Sequence, residues 1–171
     1  MGVKVNRLRS FIKTEHGGAL AELAILVPFL VVMLACVAEF GRYFQNYTTL
    51  SKATRASARY LSNHPLNATE LGRATNLVVC GKLACGVGDR PLVSGFAAGN
   101  VCIESTGSPQ VINVTVRIPR TNDCTPTTGA GNATPFVYTP IFDIGAILGV
   151  PSFSMALPIA PGTTMYYMIT Q

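Results

Sequence analysis

Glu22 stands at the edge of a run from Leu23 to Ala38 that carries no charge at all. An ionised side chain within hydrocarbon costs on the order of several kcal/mol, so a chain built this way must gain something from that carboxylate. Ahead of it lie Lys4, Arg7, Arg9 and Lys13, then the pair Gly17-Gly18, then Ala19-Leu20-Ala21. The layout reads as a basic segment held in the cytoplasm, a glycine at which the chain can be cut, and a helix that begins its life in a membrane.

Three fates are open to the apolar run. With Ala19–Ala21 and Phe40-Gly41 added, it is long enough to cross a hydrocarbon slab of about 30 Å. Glu22 and Glu39 are then about 26 Å apart along a helix and can sit near opposite interfaces. A removable signal peptide needs a better small-residue ending than Cys36-Val37-Ala38. Lipid attachment at Cys36 would need a better box than Met33-Leu34-Ala35. A retained helix fits best.

The chain does not break after the run. Phe40 to Ser62 has no proline and one glycine, Gly41. Phe40, Tyr43, Phe44, Tyr47, Leu50, Ala53, Ala58 and Leu61 recur mostly at steps of three and four, with Lys52, Arg55 and Arg59 on a neighbouring stripe. Asn63-His64-Pro65 stops the pattern, because proline disfavours helix in the residue before it. One helix is therefore expected from about Ala19 to Ser62, with a bend at Pro28, where a backbone donor is missing. Its lower half faces lipid or other helices; its upper half lies on a globular domain.

These residues together resemble a type IV pilin-like subunit, specifically the TadE-like minor pseudopilins of bacterial tight-adherence pili. Gly17 matches the processing glycine, Gly18-Ala19-Leu20-Ala21 the first mature residues, and Glu22-Leu23 the glutamate-plus-bulky pair at mature positions five and six. Leu26-Val27-Pro28, Glu39-Phe40-Gly41-Arg42 and Thr54–Tyr60 are similar to the family's helix body. Many members carry alanine at the first mature position, where this chain has Gly18. A cut after Gly18 would restore that alanine but move Glu22 to position four, which favours Gly17. The resemblance implies a prepilin peptidase, other pilin or pseudopilin subunits, an assembly platform and inner-membrane lipid as partners. It also implies that a neighbour's new ammonium could neutralise Glu22 in an apolar bundle; either charge buried alone would cost several kcal/mol.

The domains expected are a removed basic leader at 1–17, a transmembrane and assembly helix at 18–41, a helix extension at 42–64, and a small extracytoplasmic α+β domain at 65–171. The fold class is α+β: a long N-terminal helix packed on a disulfide-containing domain with a short antiparallel sheet. Asn67 and Glu70 form a helix start, with the helix running to about Val79. Val101–Glu104 and Val111–Ile118 are strand-like, joined by Thr106-Gly107-Ser108-Pro109. Phe136–Phe142 is a third strand candidate and Thr163–Ile169 a final one. Thr121–Pro135 is polar enough for an exposed loop, and Ile144–Val150 is a short apolar piece.

Of the five cysteines, Cys36 falls within the apolar run, and Cys80, Cys85, Cys102 and Cys124 lie beyond it. An even number beyond a spanning helix points to an oxidising compartment and two disulfides. Three pairings are open; the locality of the first pair favours Cys80–Cys85 with Cys102–Cys124. The spacing is not that of a zinc site, so no metal is expected.

Catalytic chemistry finds no foothold. The two histidines, His16 and His64, form no metal-binding pair, and no nucleophile elbow or phosphate-cradling loop is present. No cofactor is expected. The net charge of +5 gathers in the leader, leaving nine Lys/Arg against seven acids beyond residue 17, so no nucleic-acid partner is expected. Two functions remain. One is a minor pilin or pseudopilin, made in the bacterial inner membrane with its C-terminal domain periplasmic and then carried into a pilus. The other is a membrane-tethered binding module that does not polymerise. Tip against shaft position, stoichiometry and adhesin target are not written in these residues.

Overall fold

The computed structural model describes residues 15–108, 111–125, 133–142 and 156–167, with Gly145 and Gly149. The leader expected at 1–17 lies outside this range up to residue 14, as do residues 126–132 of the Thr121–Pro135 loop, most of Ile144–Val150 and the last four residues.

A single helix, α1, runs from Glu15 to Leu61 and continues through Pro28. A second, α2, spans Ala68–Cys80. Asn67 caps it, its side-chain oxygen accepting from the Glu70 N–H at 2.9 Å, which satisfies a donor left over in the first turn. At the other end Gly81 adopts φ 73°, a left-handed conformation that suits a residue without Cβ, and its N–H reaches Leu77 O at 3.1 Å. A 3-10 turn at Ala98–Asn100 leads into β1 (Cys102–Ser108) and β2 (Val111–Arg117); β3 (Gly162–Tyr166) follows near the C-terminus. The three strands form one antiparallel sheet in the order β1-β2-β3, with Cys102 opposite Arg117 and Arg117 opposite Gly162. A Cβ on Gly162 would meet the Arg117 Cβ at 3.0 Å, so this position needs the small residue.

The architecture is α+β. Alternation in β2 buries Val114 and Val116, and Ile118 just beyond, on one face. These meet Ile103 of β1, Leu50, Ala58 and Leu61 of α1, and Leu71, Ala74 and Val78 of α2 in one core. Ser57 of α1 donates to Ala74 O of α2 at 2.8 Å, so the helices cross at small residues with the polar group satisfied. Phe96 and Phe136 pack edge to face, centroids 5.2 Å apart, and close the core from the loop side.

Two details differ from expectation. Phe136–Phe142 is not a strand: it makes one bridge, Val137 with Pro158, flanked by Tyr138 N–H to Leu157 O and Ile159 N–H to Phe136 O. Pro140 on one side and Pro158 and Pro161 on the other lack the donors a longer ladder needs. The face that α1 presents is also turned by one position at its lower end. Phe40, Phe44 and Tyr47 are exposed, whereas Glu39, Tyr43 and Leu50 face the domain.

Candidate functional site

From Gly18 to Val31 every residue of α1 is exposed, and large apolar side chains continue exposed to Val37. This segment contains the residues singled out for processing and assembly. Gly17 and Gly18 lie in the first turns, Glu22 and Leu23 about one turn further, all far along the rod from the head domain. Glu22 has no hydrogen-bond partner among the described residues, and a Cβ added to Gly18 would meet nothing within 4 Å. The fold therefore places no steric demand for glycine at position 18. Cys36 is a free thiol, half-buried.

Glu39 is the residue that sequence reasoning undervalued. Its side chain is 1% exposed and turned against the head domain. One carboxylate oxygen accepts from the consecutive backbone N–H groups of Ile141 and Phe142, both at 2.9 Å. The other accepts from the Tyr138 hydroxyl. Arg42, one turn along the helix, adds an N–H to the first oxygen at 3.3 Å. A buried carboxylate is tolerable when its lone pairs are met in this way. Burial and the adjacent Glu39 carboxylate together push the Tyr138 hydroxyl up to about 12, so it stays a donor at any physiological pH. Tyr43, one turn above, donates to Pro158 O at 3.3 Å and packs edge-on against Tyr138, extending the seam. A signal for this existed in the register: Glu39, Tyr43, Leu50, Thr54, Ser57 and Leu61 follow helical steps along one buried stripe. Glu39 is the lowest member of that stripe.

The head is stapled at two places. Cys80 is bonded to Cys85 at the end of α2, and Cys102 to Cys124 between β1 and the loop after β2. Beside the second bridge Arg117 reaches Glu104 through two N–H groups, at 2.8 and 3.1 Å, and Asp123 through a third at 3.1 Å. The Thr125 N–H also donates to Glu104, at 3.0 Å. These donors, Arg117 first, hold the Glu104 carboxyl at about 2, well below its ordinary 4.5. Cys102, Glu104 and Cys124 lie close together, but the two sulfurs are bonded to each other and the carboxylate is committed to Arg117, so the cluster is a latch rather than a ligand set.

Among the described residues one helix is long and apolar enough to cross a membrane, and it is joined without interruption to a disulfide-bonded α+β head. Residues 17–59 match the family model described as TadE-like protein, in agreement with the resemblance read from the motifs. The matched segment opens on Gly17, takes in Glu22, Pro28 and Glu39, and stops just short of the end of α1; the head lies outside it. The family suggests a protein associated with a tight-adherence pilus and is in general non-enzymatic. Neither the curated proteins nor the solved structures contain a match to this chain.

Proposed function

We propose that the protein is a minor pilin or pseudopilin that enters a tight-adherence type pilus after a prepilin peptidase cuts between Gly17 and Gly18. The observation that carries this reading is the division of α1 into a largely exposed apolar half bearing Glu22 and an upper half locked into the head. A helix so divided has a face left for lipid and then for neighbouring helices. In the membrane, the basic leader keeps the N-terminus cytoplasmic and the head is periplasmic. The cut removes Lys4, Arg7, Arg9 and Lys13 and leaves an ammonium on Gly18. In the pilus that ammonium lies against a neighbour's Glu22, and the unpaired alternative is costly enough to reject a misplaced subunit. Leu23 and the apolar residues above it pack against other subunits and the assembly platform first meets the subunit in the inner membrane.

Mass spectrometry of the mature N-terminus tests the reading. A chain beginning at Gly18 and present in sheared pili is the expected result. A chain retaining its leader and confined to the membrane overturns it in favour of a tethered module that does not polymerise.

A further inference from the structure

We infer that the Ile141-Phe142 tip of the head is a second membrane contact, seated in the outer lipid interface beside the point where α1 leaves the hydrocarbon. The inference rests on the proposed membrane crossing of α1 and adds a lipid-binding role for a loop of the head. Three observations converge on it. The first is a length: Gly18 to Glu39 is 21 residue steps, about 31 Å of helix, close to the thickness of a hydrocarbon slab. With Gly18 at the inner edge, Glu39 arrives at the outer one. The second is the pin. Because Glu39 accepts from the N–H groups of Ile141 and Phe142 themselves, the tip is fixed at the same height along the helix as residue 39. The third is exposure. With their backbones tied inward, Ile141 and Phe142 leave 67% and 48% of their surface uncovered, and Phe40 on the helix leaves 65%.

At the acyl boundary the burial of these exposed apolar side chains is favourable at roughly 25 cal/mol per Å². Arg42, whose side chain is 44% exposed, stands one turn higher, where a guanidinium can meet lipid phosphate. Two contacts hold the head at a set tilt, which one helix passing through a bilayer does not.

The sequence contains no tryptophan, so single reporters can be read without background. Full-length protein carrying Phe142→Trp, Phe29→Trp or Val87→Trp is reconstituted in vesicles of phosphatidylethanolamine and phosphatidylglycerol that contain lipids brominated either near the headgroup or deep in the acyl chain. Val87, fully exposed on the head, serves as the water reference. The expected result is deep quenching of the Phe29→Trp protein and shallow quenching of the Phe142→Trp protein, several-fold above that of Val87→Trp. Deep quenching at position 29 with none at 142 overturns the inference and leaves the membrane crossing standing. Blue-shifted emission at 142 without lipid quenching overturns it in favour of protein contact. Absence of quenching at position 29 refutes the crossing and this contact together.

Discussion

Tyr138 donates its hydroxyl to the carboxylate of Glu39, a residue 99 positions earlier in the chain, and does so in a buried setting. The bond joins the helix that matches the TadE-like model to a head that lies outside the match. Glu39→Ala would strip the Tyr138 hydroxyl and two backbone N–H groups of their acceptor. The loss is expected to be about 2–4 kcal/mol of head stability, given about 1–3 kcal/mol for each buried group left unsatisfied and partial relief by water. Hydrogen exchange checks the cause: the Ile141 and Phe142 amides should lose protection in the variant while β2 keeps its own. Unchanged protection at those two amides would refute the pin.

Glu22→Ala should behave differently. Glu22 has no partner among the described residues, so the head should unfold at the same denaturant concentration as in the parent protein. The expected defect is in recovery from sheared pili, with cleavage after Gly17 retained. Loss of head stability in Glu22→Ala would contradict the division of labour between the two carboxylates.

Gly17→Ala should block maturation, because a peptidase groove fitted to a residue without a side chain is obstructed by a methyl group. Gly18→Ala meets open space in the fold and should mature normally. Immunoblots that resolve precursor from mature chain distinguish the two; equal processing of both variants would remove Gly17 from its assigned role.

The Glu104 latch makes a pH prediction. Its carboxyl lies at about 2 in the folded head, against 4.5 ordinarily. A depressed value stabilises the fold fully above the ordinary pKa, and the contribution is lost as pH falls from there toward 2. Between pH 5 and pH 3 the head should lose about 2 kcal/mol from this group. Urea unfolding of the parent and of Glu104→Gln checks it: the variant should be less stable at pH 7 and show a flatter acid slope. Parallel slopes would count against the Arg117 pairing.

Disulfide removal should be graded by loop length. Cys102–Cys124 closes a separation of 22 residues and Cys80–Cys85 one of 5. Loop-closure entropy gives about 3 kcal/mol for the first and about 2 for the second. Cys102→Ser should therefore unfold before Cys80→Ser on a common denaturant scale. Without reductant, alkylation should leave the four head cysteines blocked, and Cys36, the free thiol, should stay shielded by the membrane until the protein is unfolded in detergent.

Local signals carried most of the fold. Pro65 ended α1 where expected, to within a residue or two, and Asn67 with Glu70 marked the start of α2. The alternation of β2 gave its buried face directly. What stayed hidden was non-local. The partners of Glu39 are a tyrosine far down the chain and two backbone amides, and backbone donors leave no trace in side-chain patterns. Phe40, Phe44 and Tyr47 looked like a core stripe on hydrophobicity alone. The true stripe opens on a charged residue, which such a count passes over. Phe136–Phe142 has the composition of a strand, and its failure to become one is a matter of prolines on both sides of the pairing.

The unbroken helix from Glu15 to Leu61 has a mechanical consequence. No non-helical linker separates the apolar half from the half clamped by Leu50, Ser57 and Leu61. A force drawing the head outward is passed along continuous helix toward Glu22, with Pro28 the point on the way where a backbone donor is missing. On the proposed pilin reading, extraction from a bilayer and seating against a neighbour would then be one motion rather than two.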